Sequence, residues 1–408
     1  MKIAIVLHTF PVVSETFIVN QICSLIDNNH EVTIFALNKG DKTIIHQNIK
    51  KYNLLDKVKY YNRIPSNKPK RYSYFFKTFF QFVFSRNLLQ IFKTVNVFKF
   101  GFKALNLQHF YRNQWFLRKN EFDVIHCHFA QLGLFISKLK RDGFLNNEKL
   151  ITSFHGVDIS PNKIKKYQKN YKVLFEYMNV CTYNSKYSFQ ILQQINSNYL
   201  GYKFLPEGLD TNLFKPHYKK RHDDKVNILF CGRLVSFKGP DIAVEIIKRL
   251  IKSELEIRLT IIGNGEMFDS LKETIIENNL QNFIFLKGSL SQENIIDAMD
   301  QSDVFLLPGI VDSNGRAENQ GLVIQEAQSM ELPVVVSDAG GMKYGIVNNK
   351  TGFAVKSKDI DAFVEKIETL ITNNVLRDEM GKEARAYVVK KFDNAVLYNK
   401  LVHFYKNA

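Results

Sequence analysis

The chain has 408 residues, 45% hydrophobic and 24% charged, which excludes a disordered polypeptide and suits two globular domains rather than one. Its formal net charge of +16, from 56 basic and 40 acidic side chains, favours an anionic partner: a nucleotide, a nucleic acid or an acidic lipid surface. Four scattered cysteines, Cys23, Cys127, Cys181 and Cys231, form no CxxC pair, which argues against a zinc site and suits a reducing compartment.

Residues 3–8 read as a strand, too short for a signal sequence and without a small-residue cleavage site. No uninterrupted apolar run reaches the ~18 residues of a membrane span. A cytoplasmic protein is expected, with a peripheral position on the inner face of the plasma membrane as its possible extension. Ser14 or Glu15 caps a helix running through Leu25, and residues 31–37 form the second strand. A strand–helix–strand unit predicts a parallel sheet.

Residues 57–120 differ in kind, because they contain no Asp or Glu. Between Lys68 and Lys119 lie eleven Lys or Arg and twelve Phe. Phe75, Phe76, Phe79, Phe80 and Val83 recur at helical spacing, and Leu88, Leu89, Phe92, Val95 and Phe98 continue the pattern with Arg86, Lys93 and Lys99 interleaved. Two readings stand open: a helical insert (64–120) whose Phe stripe packs on its own domain, and a surface that docks on anionic lipid. Single-stranded nucleic acid is disfavoured, since no RNA-binding motif accompanies the basic and aromatic residues.

Alternation then resumes. Strands are expected at 123–129, 150–154 and 179–183, a helix at 131–140, and a last strand and exit turn at 204–208. His126 and His128 share one face of the first of these strands, a metal-like spacing. No third ligand is evident, and histidines of the core or cleft are the favoured reading. His155-Gly156 and Asn184-Ser185 end the next two strands. The polar stretch 210–224 reads as a linker.

The second half is more regular. Strands are expected at 227–231, 257–262, 283–286, 304–307 and 333–336, with helices at 240–252, 267–278, 292–299 and 322–329 between them. Helices at 360–372, 374–390 and 395–406 end the chain. The fold class is therefore α/β, two doubly wound Rossmann-like domains, 1–207 and 208–390, facing a central cleft. The C-terminal helix, within 391–408, packs back on the first domain. In such sheets ligands lie beyond the carboxyl ends of the strands.

The candidate site residues fall there. Arg233 and Lys238 follow a strand between Gly232 and Gly239, a fork and a point charge for phosphate oxygens; a solvated basic loop is the plain alternative. Gly263, in Gly263-Asn264-Gly265, follows the next strand and places backbone beside the first loop. Glu318 and Glu326, on one continuous helix, would lie about 80° apart. Gly321 starts the helix only there, leaving Glu318 in the loop and Glu326 two turns in. Carboxylates accept hydrogen bonds from sugar diols, and the N–H groups of Asn319, Gln320, Gly321 and Leu322 suit a phosphate at a helix N-terminus. The apolar neighbours Leu322, Val323, Ile324 and Ala327 weaken the reading of Glu326 as an ordinary surface residue.

Taken together these stretches resemble the GT-B glycosyltransferases of the retaining family 4, the kind that builds bacterial capsule, exopolysaccharide and colanic acid. The resemblance is carried by residues 228–233 with Lys238-Gly239 and by Glu318 through Glu326-Ala327, the family's E-x7-E. Supporting matches are 123–129, Phe154-His155-Gly156, 210–216, 350–353 and the N-terminal Phe10-Pro11 with Ser14-Glu15-Thr16-Phe17. It implies a glycosyltransferase (EC 2.4) that moves a hexose or other sugar from a nucleotide-sugar donor, with UDP favoured over GDP, to a glycan or glycolipid acceptor. Arg233 and Lys238 would hold the donor diphosphate, Glu326 the ribose diol, and Glu318 the donor-sugar hydroxyls. His155 would lie near that sugar from the other domain. Glu318, His155, Arg233 and Lys238 are the implied catalytic residues, with no cofactor and no metal. A non-catalytic scaffold subunit and a nucleotide-sugar epimerase are the alternatives; the first would have lost one of the four charged residues, the second needs no lipid-facing insert. Departures from the family pattern are Gly340-Gly341-Met342-Lys343-Tyr344 for its Gly-Gly-x-Pro-Glu, Glu207-Gly208 for its Asn-Gly, and Val12-Val13 where some members carry a Gly pair.

Overall fold

The computed structural model describes residues 1–12, 15–41, 47–82, 88–117, 122–145, 147–217, 225–253 and 255–408. Val13, Ser14, Val83, Arg86, Lys119 and the end of the expected linker lie outside them. Among the described residues the chain forms two parallel sheets. The first has the order β3-β2-β1-β4-β5-β6-β7, from β1 (Lys2–Phe10), β2 (Glu31–Lys39), β3 (Val58–Tyr60), β4 (Val124–His128), β5 (Lys149–Phe154), β6 (Val180–Tyr183) and β7 (Tyr202–Phe204). The second has the order β10-β9-β8-β11-β12-β13, from β8 (Val226–Cys231), β9 (Ile257–Ile262), β10 (Ile284–Leu286), β11 (Val304–Leu307), β12 (Val334–Ser337) and β13 (Gly352–Val355). Helices cover both faces of each, so the central strands are apolar throughout: every residue of β11 and β12 is buried. Two edge strands, β3 and β13, were not anticipated; β3 (Val-Lys-Tyr) holds no apolar run, and β13 opens on Gly352, a residue depleted in strands.

In each sheet the strand order reverses at one point, between β1 and β4 and between β8 and β11. A crevice opens beyond the carboxyl ends of the strands at such a switch point. Arg233 and Lys238 follow β8 and Glu318 follows β11, while His155 follows β5, next to β4. The topology alone thus gathers these residues from distant stretches of chain.

The stretch read as a linker is not loose where it is described. Phe214 is buried in the second domain's core, as is Leu209 just before it, and Arg385 holds the carbonyls of Thr211 and Phe214. The C-terminal helix Asn394–Lys406 crosses back to the first domain, where Leu401 and Tyr405 join the core of β1, β2 and the helix Thr16–Asp27. The Tyr405 hydroxyl lies 2.7 Å from Nδ1 of His126, and Lys149 Nζ donates to the Lys406 carbonyl at 2.8 Å.

In the insert, the helix Lys68–Phe82 divides its aromatic stripe. Phe75 and Phe79 pack on a small core of Ile91, Leu107, Phe110, Tyr111 and Leu117. Phe76, Phe80, Phe92, Phe98 and Phe102 face outward, with Phe98 and Phe102 106% and 83% exposed. Lys77, Lys93, Lys99 and Lys103 are exposed among them. No helix of the described residues is long and apolar enough to cross a membrane.

The C-terminal helix gives a direct test of how the first domain is held. Tyr405→Phe removes one buried hydrogen bond and should cost about 1 kcal/mol. Tyr405→Ala empties the ring's volume and should cost about 3–5 kcal/mol. Both read out as faster amide exchange across β4, with the alanine variant also lowering the melting temperature.

Candidate functional site

The second-domain half is built by two adjacent loops. After β8 the chain passes Gly232 and Arg233 into a short turn, Ser236–Lys238, and then the helix Pro240–Leu250. Gly239 has φ +68°, and a Cβ there would lie 2.2 Å from the Pro308 carbonyl, so only glycine lets this loop touch the one after β11. That contact sets Lys238 Nζ 2.6 Å from Glu318 Oε2, with the two side chains only 12% and 17% exposed. Burial pushes the Glu318 carboxyl upward. The Lys238 ammonium, its hydrogen bond, the N–H of Asn319 and the Arg233 charge more than offset this and hold it below the usual glutamate range. Arg233 is exposed at the mouth of the loop.

Gly321, at φ +73°, starts the helix Leu322–Ser329, as its position in the sequence predicts. Glu326 stands a little over one turn into that helix, not two. Burial pushes its carboxyl up to about 7, with the Lys238 charge opposing. The same two groups act on the Cys231 thiol, which burial and Glu326 push up to about 12 against Lys238. Lys238 is therefore the hub: Glu318, Glu326 and Cys231 all respond to it.

Gly263 has a packing reason for being glycine. A Cβ there would meet the Gly232 carbonyl at 1.9 Å, and its N–H donates to the Gly288 carbonyl at 2.8 Å. The N–H of Asn319 is held by the Glu318 carboxylate. The N–H groups of Gln320, Gly321 and Leu322 open the helix, where no intrahelical partner exists for the first ones.

The first-domain half centres on His155. Its Nδ1 lies 3.0 Å from Glu207 Oε1 and its Nε2 3.0 Å from Nδ1 of His128. Phe17 and Phe129 hold the ring from two sides. The turn after it is fixed by Asp158, whose carboxylate accepts from the N–H groups of His155, Gly156 and Ala130. Burial raises the Asp158 carboxyl, against the His155 charge and these hydrogen bonds. Glu15 faces the same place: burial pushes its carboxyl up, with His155 opposing and Glu207 adding to the rise. His126 and His128 are both fully buried; the nitrogens of His126 meet Tyr405, Gln21 and Ser153. They are core histidines, as the sequence favours.

The two halves meet at the loop after β11. Gly156, at φ +99°, leaves room for Asn319, whose Nδ2 would lie 2.0 Å from a Cβ at that position. Gly341 backs the other side, where a Cβ would lie 1.5 Å from the Asn319 carbonyl. Ser188 Oγ is 3.0 Å from Asn319 Oδ1. Gln320 is buried against Glu207, bonded to its backbone N–H at 2.7 Å and its carbonyl at 2.8 Å.

The structure thus brings Arg233, Lys238, Glu318 and Glu326 together on one wall and His155 to the other. Sequence reasoning missed Glu207, Glu15, Asp158 and the side-chain contacts of Asn319 and Gln320. Two signals were available: Glu207 stands where the family pattern has Asn, and Glu15 lies in the N-terminal stretch that carries the resemblance. A cation loop beside a carboxylate loop, at the switch point of a doubly wound sheet, suits an anionic ligand that also carries hydroxyls.

Comparison with known proteins agrees. The family model described as Glycosyltransferase Family 4 matches residues 14–212, and that described as Glycosyl transferases group 1 matches residues 213–387. A protein of Escherichia coli (strain K12) named for colanic acid biosynthesis as the glycosyltransferase WcaL is 27% identical over 405 residues, 98% of each chain. The amylovoran biosynthesis glycosyltransferase AmsK of Erwinia amylovora is 27% identical over 406 residues, again 98% of each. Among solved structures, Alr3699/HepE of Anabaena in complex with UDP superimposes with a TM-score of 0.76 over 100% of both chains at 16% identity, which establishes the GT-B fold.

The hub role of Lys238 can be read by titration. In a chain carrying 13C-labelled glutamate, Glu326 should titrate near 7, apart from the exposed carboxylates, and Lys238→Met should move it higher still. The folded state holds this proton more tightly than the unfolded chain does. Its contribution to stability is therefore present at acid pH and is lost as pH rises through about 7.

Proposed function

The chain belongs to glycosyltransferase family 4, the capsule and exopolysaccharide type, and we propose that it transfers a sugar, with retention of anomeric configuration, from a nucleoside-diphosphate sugar to a lipid-linked or growing surface glycan. The observation that carries this reading is the buried Lys238–Glu318 pair, flanked by Arg233 and Glu326.

A buried ammonium and a buried carboxylate in contact hold each other's charge in place. A donor diphosphate offers Lys238 a stronger anionic partner, and Arg233 adds a fork for a second phosphate oxygen. Glu318, relieved of its ion pair, is then oriented to accept hydrogen bonds from the donor sugar. Glu326 accepts both hydroxyls of the ribose. The bond from C1 to the phosphate oxygen breaks, and its electron pair leaves with the nucleoside diphosphate. The acceptor oxygen bonds to C1 on the same face, and its proton passes to the departing phosphate. The charge that develops lies on phosphate, where Lys238 and Arg233 stabilise it. These two cations carry the task without a metal or cofactor. His155, with both ring nitrogens turned to Glu207 and His128, shapes the wall beside the sugar. UDP is the favoured nucleotide, the one held by the similar HepE.

For the acceptor, the outward half of the insert's Phe stripe supports a membrane-borne substrate. Exposed Phe76, Phe80, Phe98 and Phe102 among exposed lysines form a face suited to anionic headgroups, on the inner leaflet of the plasma membrane.

Lys238→Ala and Glu326→Ala should each lower turnover with UDP-sugars by about a hundredfold or more in a chain that stays folded, with Lys238→Ala also melting lower because it strips Glu318 of its partner. Near-normal turnover in either would place the site elsewhere. Donor affinity should also weaken as pH falls through about 7, where Glu326 gains its proton and loses acceptor capacity, and Glu326→Gln should flatten that dependence.

Serine at Phe76, Phe80, Phe98 and Phe102 should abolish sedimentation with phosphatidylglycerol vesicles and leave UDP binding intact. Phe75 and Phe79 are left alone in that experiment because they hold the insert together. Wild-type protein that fails to sediment would sink the membrane reading.

A further inference from the structure

The side chain of Gln320 is turned to the place where the chain crosses between the domains, at Glu207, two residues before Leu209 enters the second core. A primary amide presents a donor and an acceptor side by side, the same pair that one residue's backbone presents in reverse. Here Oε1 accepts from the Glu207 N–H at 2.7 Å and Nε2 donates to the Glu207 carbonyl at 2.8 Å, with Gln320 3% exposed. Gln320 Nε2 also lies 3.3 Å from Gln325 Oε1, which ties the amide to the helix behind the loop. Glu207 is itself fixed at the end of the first sheet. Its carboxylate takes His155 Nδ1 at 3.0 Å and Asn184 Nδ2 at 3.2 Å, from the strand ends of β5 and β6.

Three contacts surround this one. Ser188 Oγ stands 3.0 Å from Asn319 Oδ1, Gly156 closes on the Asn319 amide, and Asn162 Nδ2 donates to the Asn314 carbonyl at 3.2 Å. All of them join the first domain to residues 314–320, the loop that carries Glu318. None involves an ion pair, and each falls away if the domains separate by a few ångströms.

We propose that Gln320 is a positioning residue, a latch whose two-way amide contact with the Glu207 backbone registers the Glu318 loop against His155 when the domains close. The latch works through Glu318 and the loop's N–H groups and does not itself touch the reacting atoms. Bonds, not volume, are what it supplies. Leucine at this position would fill the same space and leave the Glu207 N–H and carbonyl buried without partners. Asparagine would keep the amide but fall one methylene short.

The catalytic consequence rests on the transfer reading above; the conformational one does not. Small-angle scattering of Gln320→Leu and Gln320→Asn, with no nucleotide added, should show a larger radius of gyration than wild type. UDP binding by calorimetry should stay within about threefold, since Arg233, Lys238 and Glu326 all lie in the second domain. With a UDP-sugar and acceptor, kcat should fall by about a hundredfold, as expected for a misplaced reacting group, with a much smaller change in donor KM. A merely structural residue would lower the melting temperature and leave that split unmoved. Scattering curves for Gln320→Leu that superimpose on wild type, or a kcat within about twofold of wild type in a chain that does transfer sugar, would overturn the latch. An opened Gln320→Leu in a chain whose wild type transfers no sugar would sustain the latch and count against the transfer reading alone.

Discussion

A largely buried ammonium set 2.6 Å from a largely buried carboxylate constrains everything around it. Neither charge tolerates isolation in a low-dielectric wall, and removing one partner from such a pair costs about 3–5 kcal/mol. The surrounding chain is arranged so that the pair is made from two loops that must touch. Gly239 admits the Pro308 carbonyl, Gly263 admits the Gly232 carbonyl, and the reversal of strand order puts β8 beside β11. The pair also explains why two glutamates on one loop and helix behave oppositely. Glu318 touches Lys238 and is held ionised. Glu326 feels the same charge less and is governed by burial, so its carboxyl rises to about 7. One cation thus sorts two carboxylates into different tasks.

Much of this arrangement was legible. Alternating apolar runs separated by capped helices gave a doubly wound reading, and both central sheets match it because their strands are buried on both faces. Gly321 marked the start of its helix, since a residue at φ +73° cannot continue one, and this separated Glu318 from Glu326 correctly. Other features carried no local signal. The edge strand β3 is broken by Lys59, and β13 opens on Gly352, a residue depleted in strands. Phe214 sits in a polar stretch and Leu209 at its edge, and nothing in their immediate neighbours tells that both are buried in the second core. The contact of Gln320 with Glu207 spans 113 residues, and the bonds run to backbone, whose groups are alike at every position.

The aromatic insert shows how composition misleads when treated as one property. Twelve phenylalanines in a basic stretch invite a single explanation, either core or surface. A helix has two faces, and the stripe here is wide enough to serve both. Phe75 and Phe79 meet Phe110 and the small core beneath, while Phe76 and Phe80, one residue on from each, turn about 100° away and face out. The short helices that follow repeat the device: Phe100 stacks on His109 while Phe98 and Phe102 are exposed. The inward half packs on the insert's own small core, and the outward half is left as an exposed apolar surface.

Two of the three departures from the family pattern lie where the domains meet. Glu207 stands where Asn is usual, and its carboxylate ties the strand ends of β5 and β6 together through His155 and Asn184. Across from it, Gly341 lies against the Asn319 carbonyl, and the following turn Met342–Gly345 replaces the usual Pro-Glu with Lys343 and Tyr344. Lys186, from the first domain, lies over the Tyr344 ring at 5.8 Å, and Lys343 lies over it at 5.5 Å. The acidic residue of the family turn is gone from this side of the junction, and an acidic residue has been gained at Glu207 on the other. Glu207 holds a histidine of the cleft from the first domain. Arg233, Lys238, Glu318 and Glu326 keep the family pattern, and the chain's own character lies in how its two halves are pinned to each other around them.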